Sequence, residues 1–215
     1  ASIQPSDSSI KYTNIISADF NNDFKSTPLH WMISDRDSSI TVECVDDGLK
    51  IYYNPVSVLT NNPEFPTQVF NLNNYMSLSP LPPQNKFSSA VELDVYSRGM
   101  GAIGLPGDLS SQSRFVRAAF TKLNSVSDSD EKSSVGQFFH ILGSVEQTRG
   151  CCALENGGYE ITVYTSCCNA DKGIYYYTTY QNSRINAVNM FNEDLTGDKL
   201  ISYPINKEFD IKLQN

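Results

Sequence analysis

Arg114 is a candidate functional residue, because its type and its position both suggest a role in binding or stabilising negative charge. It follows the run Gly99 to Gly107, in which four glycines and a proline fall within nine residues. Because Gly costs about 1 kcal/mol and Pro about 3 kcal/mol inside a helix, this run is expected to be a tight loop whose backbone approaches a neighbour closely. A helix is predicted after the loop, with Asp108, Ser110 or Ser111 as its N-cap.

The position of Arg114 is unfavourable for helix stability alone. A cation in or near the first turn of a helix faces the positive end of the helix dipole. Either another contact holds the guanidinium there, or Arg114 is a surface residue that points away into solvent. The spacing alone leaves both interpretations open.

Other nucleophilic or metal-binding arrangements find little support. The chain has only two histidines and no G-x-S-x-G elbow, which disfavours a Ser-His-Asp hydrolase. Adjacent cysteines on a strand point to opposite faces, so neither vicinal pair is a natural chelate, and no C-x-x-C occurs. The sequence therefore predicts no metal site and no cofactor. An odd set of thiols fits a reducing compartment; the five are Cys44, Cys151, Cys152, Cys167 and Cys168.

Composition limits the partners that we expect. The chain has 215 residues, of which 40% are hydrophobic and 19% charged, enough for one sizeable core. Its net charge of −8 disfavours nucleic acids and anionic membranes as partners. An anionic ligand would need a local basic contact, and no apolar run is long enough to span a bilayer.

Hydrophobic periodicity predicts strands at both ends of the chain and helices between them. An Asp-Gly turn between alternating runs predicts a hairpin of Ser39–Val45 and Leu49–Tyr53. The predicted buried faces of two helices are Phe115, Ala119, Leu123 and Val126, and then Val135, Phe138, Phe139 and Leu142. The other predicted elements are a short strand Val56–Leu59, a short helix within Gln68–Met76, a strand or helix within Ser88–Tyr96, and strands Tyr159–Thr165, Ile174–Tyr180 and Arg184–Phe191. This order indicates an α+β chain.

Four stretches resemble the choloylglycine hydrolase family, which contains bile salt hydrolases and penicillin V acylases. They are Leu29–Asp35, Val58–Phe65, Pro106–Phe120 and Gly173–Tyr177. The resemblance extends from about Ile15 to about Pro204, and its detail is closest to the bile salt hydrolases. It implies the four-layer αββα sandwich of the N-terminal nucleophile hydrolases. Residues 1–215 are then expected to form a single domain, the C-terminal portion of that fold.

The resemblance also implies that the nucleophile lies outside this chain. In this family the nucleophile is an N-terminal Cys whose free α-amine serves as the base. Residue 1 here is Ala, and none of the five cysteines is near the start. We therefore expect that the front part of the fold is missing from this chain. That part would be a separate chain, proteolytically removed or never made, and this chain alone is expected to be inactive.

Two catalytic positions carry over from the resemblance. Asn61 matches the asparagine whose side-chain amide faces the oxyanion, although an Asx-turn before Pro63 is the ordinary alternative. Arg114 matches the arginine that contacts the nucleophile, where a guanidinium can stabilise a thiolate. Phe20 and Phe24 fall where a family loop presents apolar side chains to the steroid of the substrate.

The implied activity is hydrolysis of the amide in glycine- or taurine-conjugated bile acids, in a bacterial, cytoplasmic protein. The resemblance also implies a homo-oligomer, a tetramer, and Ser88–Tyr96 falls in a family extension used in subunit assembly. Alternatives remain open. They are a penicillin V acylase-like amidase, an acylase for another amide such as an acyl-homoserine lactone, and an inactive fragment that only binds apolar ligands.

Overall fold

The computed structural model describes residues 30–46 and 48–215 of the chain. Phe20 and Phe24, predicted to contact the substrate, lie outside the described residues. The strands are β1 His30–Ser34, β2 Ser39–Val45, β3 Gly48–Tyr53, β4 Tyr164–Asn169, β5 Ile174–Thr179 and β6 Asn186–Asn189. The helices are α1 Phe65–Asn71, α2 Ser111–Asn124 and α3 Glu131–Gly143, with short 3₁₀ turns at Leu72–Tyr75, Met100–Ala102 and Met190–Asn192. The predicted α+β order is confirmed.

The described strands form two antiparallel sheets of three strands each, β1–β2–β3 and β4–β5–β6. In the first sheet, Val45 pairs with Gly48 across the predicted hairpin turn, and Gly48 takes a left-handed φ of 100°. A residue with a Cβ is strained at that φ, so the Asp-Gly signal correctly located the turn. The second hairpin pairs Asn169 with Ile174, where the predicted strand Ile174–Tyr180 begins.

Two small apolar cores lie beside the two sheets, and Tyr52 of β3 packs against the first of them. Phe115 of α2 is fully buried against Val56, Val58 and Phe65, and its ring meets that of Phe65 edge-on at 6.2 Å. On the second sheet, buried residues of α3 pack with Cys167 of β4; they are Val135 and Phe138. Helix α3 therefore covers one side of the second sheet, whereas α2 packs on the segment that follows β3, where Thr60 Oγ1 donates to Ser111 O at 3.1 Å.

The glycine run forms the tight loop that its composition predicts. Gly99 and Gly104 have left-handed φ values of 81° and 98°. A Cβ on Gly101 would overlap the backbone oxygens of Ser79 and Leu81, and Ser79 N donates to Gly101 O at 2.9 Å. The expected close approach of the backbone is thus to the segment before residue 82.

Two predicted strands differ in the structure. Val56–Leu59 joins no ladder, because Ser57 takes a φ of 49° and the Val56 carbonyl accepts from Lys122 Nζ at 2.8 Å. The alternation that predicted a strand there reflects burial of two valines under α2. The strand predicted at Tyr159–Thr165 begins only at Tyr164, because the preceding backbone bonds to the loop of residues 147–152 instead.

Two further predictions need correction. Ser88–Tyr96 is neither strand nor helix but an exposed run of turns and bends. Leu123 of α2 is 54% exposed, and Val126, which lies beyond the end of the helix, is 74% exposed, so the buried face ends one turn earlier, at Ala119. The short helix expected within Gln68–Met76 is confirmed, although it begins already at Phe65.

The first sheet leaves its other side exposed. Register aligns Trp31 with Val42 and Ile51, and aligns Ile33 with Ile40 and Tyr53. We call this surface the outer face; its exposed members are Trp31, Ile33, Leu49, Ile51 and Tyr53, with exposures of 42% to 68%. A contiguous apolar surface of this kind on a sheet is typical of a face that another layer covers. Across the described ranges, no helix has the length and apolar character needed to cross a membrane.

Candidate active site

The fold brings Asn61 and Arg114 together, although they are 53 residues apart in sequence. Arg114 Nη2 donates to Asn61 Oδ1 at 2.7 Å, and Arg114 Nε donates to Leu109 O at 3.1 Å. The guanidinium is half-buried and folds back over the start of its own helix. A tertiary contact therefore holds Arg114 at the helix start, rather than the side chain pointing away into solvent.

Local capping explains how a cation is tolerated at this helix start. Ser110 is the N-cap, and its side chain accepts from Ser113 N. Asp108 Oδ1 accepts from Ser110 N at 2.9 Å, and Asp108 Oδ2 accepts from Ser113 Oγ at 2.5 Å. Hydrogen bonds from Ser110 and Ser113 lower the pKa of Asp108 to about 2, so it is ionised at neutral pH. That carboxylate complements the positive end of the α2 dipole, which Arg114 alone would not do.

Arg117, which the sequence analysis missed, fixes the loop in front of α2. Its Nη1 donates to the carbonyl oxygens of Pro106 and Asp108, and its Nε donates to Ser144 O at 3.1 Å. One guanidinium thus ties the loop to the end of α3. The only sequence signal for Arg117 is its place one helical turn after Arg114, which does not by itself distinguish it from a surface arginine.

A buried carboxylate supports the other side of the site. Glu43 is 1% exposed, accepts from Phe65 N at 3.0 Å with both oxygens, and lies 2.7 Å from His30 Nδ1. His30 Nε2 is in turn 3.1 Å from Asn62 Oδ1. The buried Glu43 carboxyl is compensated by its hydrogen bond with His30 and by the free N–H at the start of α1. The pair connects β1 and β2 to the segment that contains Asn61.

The Asn61–Arg114 contact lines an open cleft of about 570 Å³. Cys152 and Glu160 also line the cleft, and Cys152 Sγ donates to Glu160 Oε2 at 3.3 Å. That hydrogen bond raises the pKa of Cys152, and burial raises the pKa of Cys168 and raises that of Cys167 to about 12. These three thiols are therefore shifted away from the thiolate form that a nucleophile needs.

The cleft instead offers groups that bind a developing anion. Burial lowers the pKa of Arg114 and the charge of Glu160 opposes this, yet a guanidinium stays charged at physiological pH. Because Asn61 Oδ1 is occupied by Arg114, the amide nitrogen faces the other way. Among the described residues, Asn61 Nδ2 has no hydrogen-bond acceptor. A fixed cation and an open neutral N–H donor are the parts of an oxyanion site. Within residues 30–46 and 48–215, no group of three or more His, Cys, Asp or Glu could hold a metal ion.

Comparison with known proteins decides the family. A family model described as linear amide C–N hydrolases, choloylglycine hydrolase family, matches residues 1–203. This chain belongs to the choloylglycine hydrolase family. The resemblance found in the sequence is thereby confirmed.

Relatives of this choloylglycine hydrolase family chain include two bile salt hydrolase/transferases. That of Lactiplantibacillus plantarum is 57% identical over 97% of this chain and 64% of its own length. That of Clostridium perfringens is 37% identical over 100% of this chain and 66% of its own length. The chain thus spans just under two thirds of the length of these curated relatives.

Solved structures agree on the fold of the family. A variant of conjugated bile acid hydrolase from Clostridium perfringens matches with a TM-score of 0.76 and 38% identity, over 86% of this chain and 57% of that chain. Penicillin V acylase from Agrobacterium tumefaciens matches with a TM-score of 0.57 and 20% identity, over 79% of this chain and 48% of that chain. At that identity the acylase shows only a shared fold.

Proposed function

We propose that this chain is the C-terminal portion of a conjugated bile salt hydrolase, which cleaves the amide of glycine- or taurine-conjugated bile acids. The observation that carries the proposal is the open cleft lined by Asn61 and Arg114, which offers an N–H donor beside a fixed cation. The 57% identity to a bile salt hydrolase/transferase supports the choice of substrate. An N-terminal Cys in a preceding segment would supply the nucleophile and, with its α-amine, the base.

In the proposed mechanism the thiolate attacks the amide carbonyl carbon, and the carbonyl oxygen becomes an oxyanion. Asn61 Nδ2 donates to that oxyanion, while the charge of Arg114 stabilises the thiolate and holds Asn61 through Oδ1. The intermediate collapses, the C–N bond breaks, and glycine or taurine leaves with a proton returned by the α-amine. Water then attacks the thioester, which releases the bile acid and restores the thiol.

The remaining proposals concern the whole molecule. Residues 1–215 would form a single domain, the C-terminal portion of the four-layer αββα sandwich of the N-terminal nucleophile hydrolases. The preceding segment would supply the N-terminal portion of that sandwich. Support comes from the exposed outer face, which another layer would cover. Phe20 and Phe24 would contact the steroid. The complete protein would be a cytoplasmic homo-oligomer, a tetramer, with the exposed residues Ser88–Tyr96 available for subunit contacts.

The test uses the complete protein, in which a Cys-initiated N-terminal segment precedes this chain. Release of glycine and taurine from conjugated bile salts is compared with hydrolysis of penicillin V under the same conditions. We expect turnover of the bile salts with kcat/KM well above that for penicillin V. Folded complete protein that cleaves only penicillin V, or neither amide, would contradict the proposed function.

A further inference from the structure

Gln68 lies at the centre of a hydrogen-bonded group that joins the Asn61 segment to the start of α2. Its Nε2 is 3.2 Å from Thr60 Oγ1, 3.0 Å from Asn61 O and 3.1 Å from Ser111 Oγ. Thr60 Oγ1 also donates to Ser111 O at 3.1 Å, and Ser111 Oγ donates to Thr60 Oγ1 at 3.0 Å. We call Gln68, Thr60 and Ser111 the clamp.

The orientation of the Gln68 amide is fixed by its partners. The backbone oxygen of Asn61 can only accept a hydrogen bond, so the nitrogen of the Gln68 amide must face it. The hydroxyl of Thr60 must likewise donate to the Ser111 carbonyl oxygen. The clamp is therefore directional, and its hydrogen bonds run from α1 to Thr60 and Asn61 and to the start of α2.

The glutamine at this position also carries a stability penalty. Gln68 is 1% exposed, and its Oε1 has no hydrogen-bond partner within the described part of the chain. A buried amide oxygen without a partner is destabilising, and it offsets part of the stability that the hydrogen bonds of Nε2 contribute. Residues that lower stability in this way are typical of sites where geometry is needed for function.

The clamp determines where the two site residues lie. Thr60 directly precedes Asn61, and Ser111 lies three residues before Arg114, about one turn of α2. We propose that Gln68 is a positioning residue for the Asn61–Arg114 pair, acting through the clamp to direct the Asn61 amide toward the oxyanion. This inference rests on the proposed function of the same cleft.

The experiment compares matched variants of the complete protein. Gln68→Met keeps the length of the side chain and removes both N–H donors, while Thr60→Val keeps the shape and removes the hydroxyl. Because a misplacement of about 1 Å at a site can cost about 100-fold, kcat should fall about 10- to 100-fold in both, with KM within about twofold. Thr60→Ser restores the hydroxyl and should recover most of kcat.

Asn182→Ala is the control for general destabilisation. Asn182 is also 1% exposed with an unpaired amide atom in the described structure, but it does not line the cleft. We expect it to lower Tm while leaving kcat near that of the parent. An equal kcat loss in this control, or a folded Gln68→Met with the parent's kcat, would overturn the inference. If Gln68→Met does not fold, the Thr60→Val and Thr60→Ser pair decides.

A second readout separates this inference from the proposed function. A parent protein without bile salt hydrolysis would refute the function but not the clamp. The crystal structure of Gln68→Met then decides: we expect Asn61 Oδ1 to leave Arg114 Nη2, from which it is 2.7 Å away in the parent. A contact retained at that distance would overturn the positioning role whatever the activity.

Discussion

Substitution of Asn61 separates an oxyanion donor from a residue that merely holds Arg114. Asn61→Ala removes the N–H donor, and water in the open cleft can replace Oδ1 as the partner of Arg114. Loss of one oxyanion donor typically lowers kcat about 10²- to 10³-fold, which is about 2.7 to 4 kcal/mol of transition-state stabilisation. KM should change little, because the charge develops only after binding.

Asn61→Asp makes the distinction sharper. The carboxylate has the shape of the amide and would pair with Arg114, so the contact of 2.7 Å is preserved or strengthened. It lacks an N–H and places a negative charge where the oxyanion forms. We therefore expect Asn61→Asp to be slower than Asn61→Ala, despite its closer shape.

The assay is steady-state release of glycine from a conjugated bile salt by the complete protein and both variants, at one pH, with Tm measured alongside. The order parent, then Ala, then Asp is the expected result. If Asn61→Asp keeps more activity than Asn61→Ala, then Asn61 acts by positioning Arg114 and the donor role assigned to it is wrong.

Three further predictions concern other parts of the chain. Arg114→Ala should raise the pKa of the nucleophilic Cys, so the loss of rate is largest at low pH and partly recovers as pH rises. Arg114→Lys should restore only part of the lost rate, and an unchanged pH–rate profile for Arg114→Ala would refute this. Burial raises the pKa of Cys167 to about 12 from 9.0, so the unfolded state loses this proton first, and the free energy of unfolding should fall between pH 9 and 12. Cys167→Val should show a shallower fall in urea titrations across that range; an equal slope would count against it. Finally, this chain alone should self-associate through its outer face, and Ile51→Lys with Tyr53→Lys should shift it toward monomer in sedimentation velocity. A parent chain that is a compact, cooperatively unfolding monomer would refute this.

Local signals in the sequence were sufficient for several elements. The Asp-Gly sequence that ends at Gly48 marks the first hairpin, because a turn with positive φ favours glycine. Ser110, one of the three predicted N-cap candidates, caps α2, since its side chain accepts from a free amide of the first turn. These features depend on residues close together in sequence, so composition and spacing carry the information.

Features that depend on tertiary contact were beyond the sequence. Val56 and Val58 alternate like a strand, but they are buried because α2 lies over them, and Ser57 breaks the extended conformation. Spacing alone could not decide the orientation of Arg114, because its partner Asn61 is 53 residues away. Gln68 appeared only as a position in a short helix, since nothing local indicates that its amide would be buried between two segments.

Under the proposed function, the complete protein forms a covalent acyl-enzyme with a bile acid on its N-terminal Cys. The direct measurement is intact-protein mass spectrometry of the complete protein, quenched in acid during turnover of a glycine-conjugated bile salt. We expect a mass increase equal to the mass of the bile acid less one water, located on the N-terminal Cys and accompanied by free glycine. Folded complete protein that shows neither the adduct nor glycine release would contradict it.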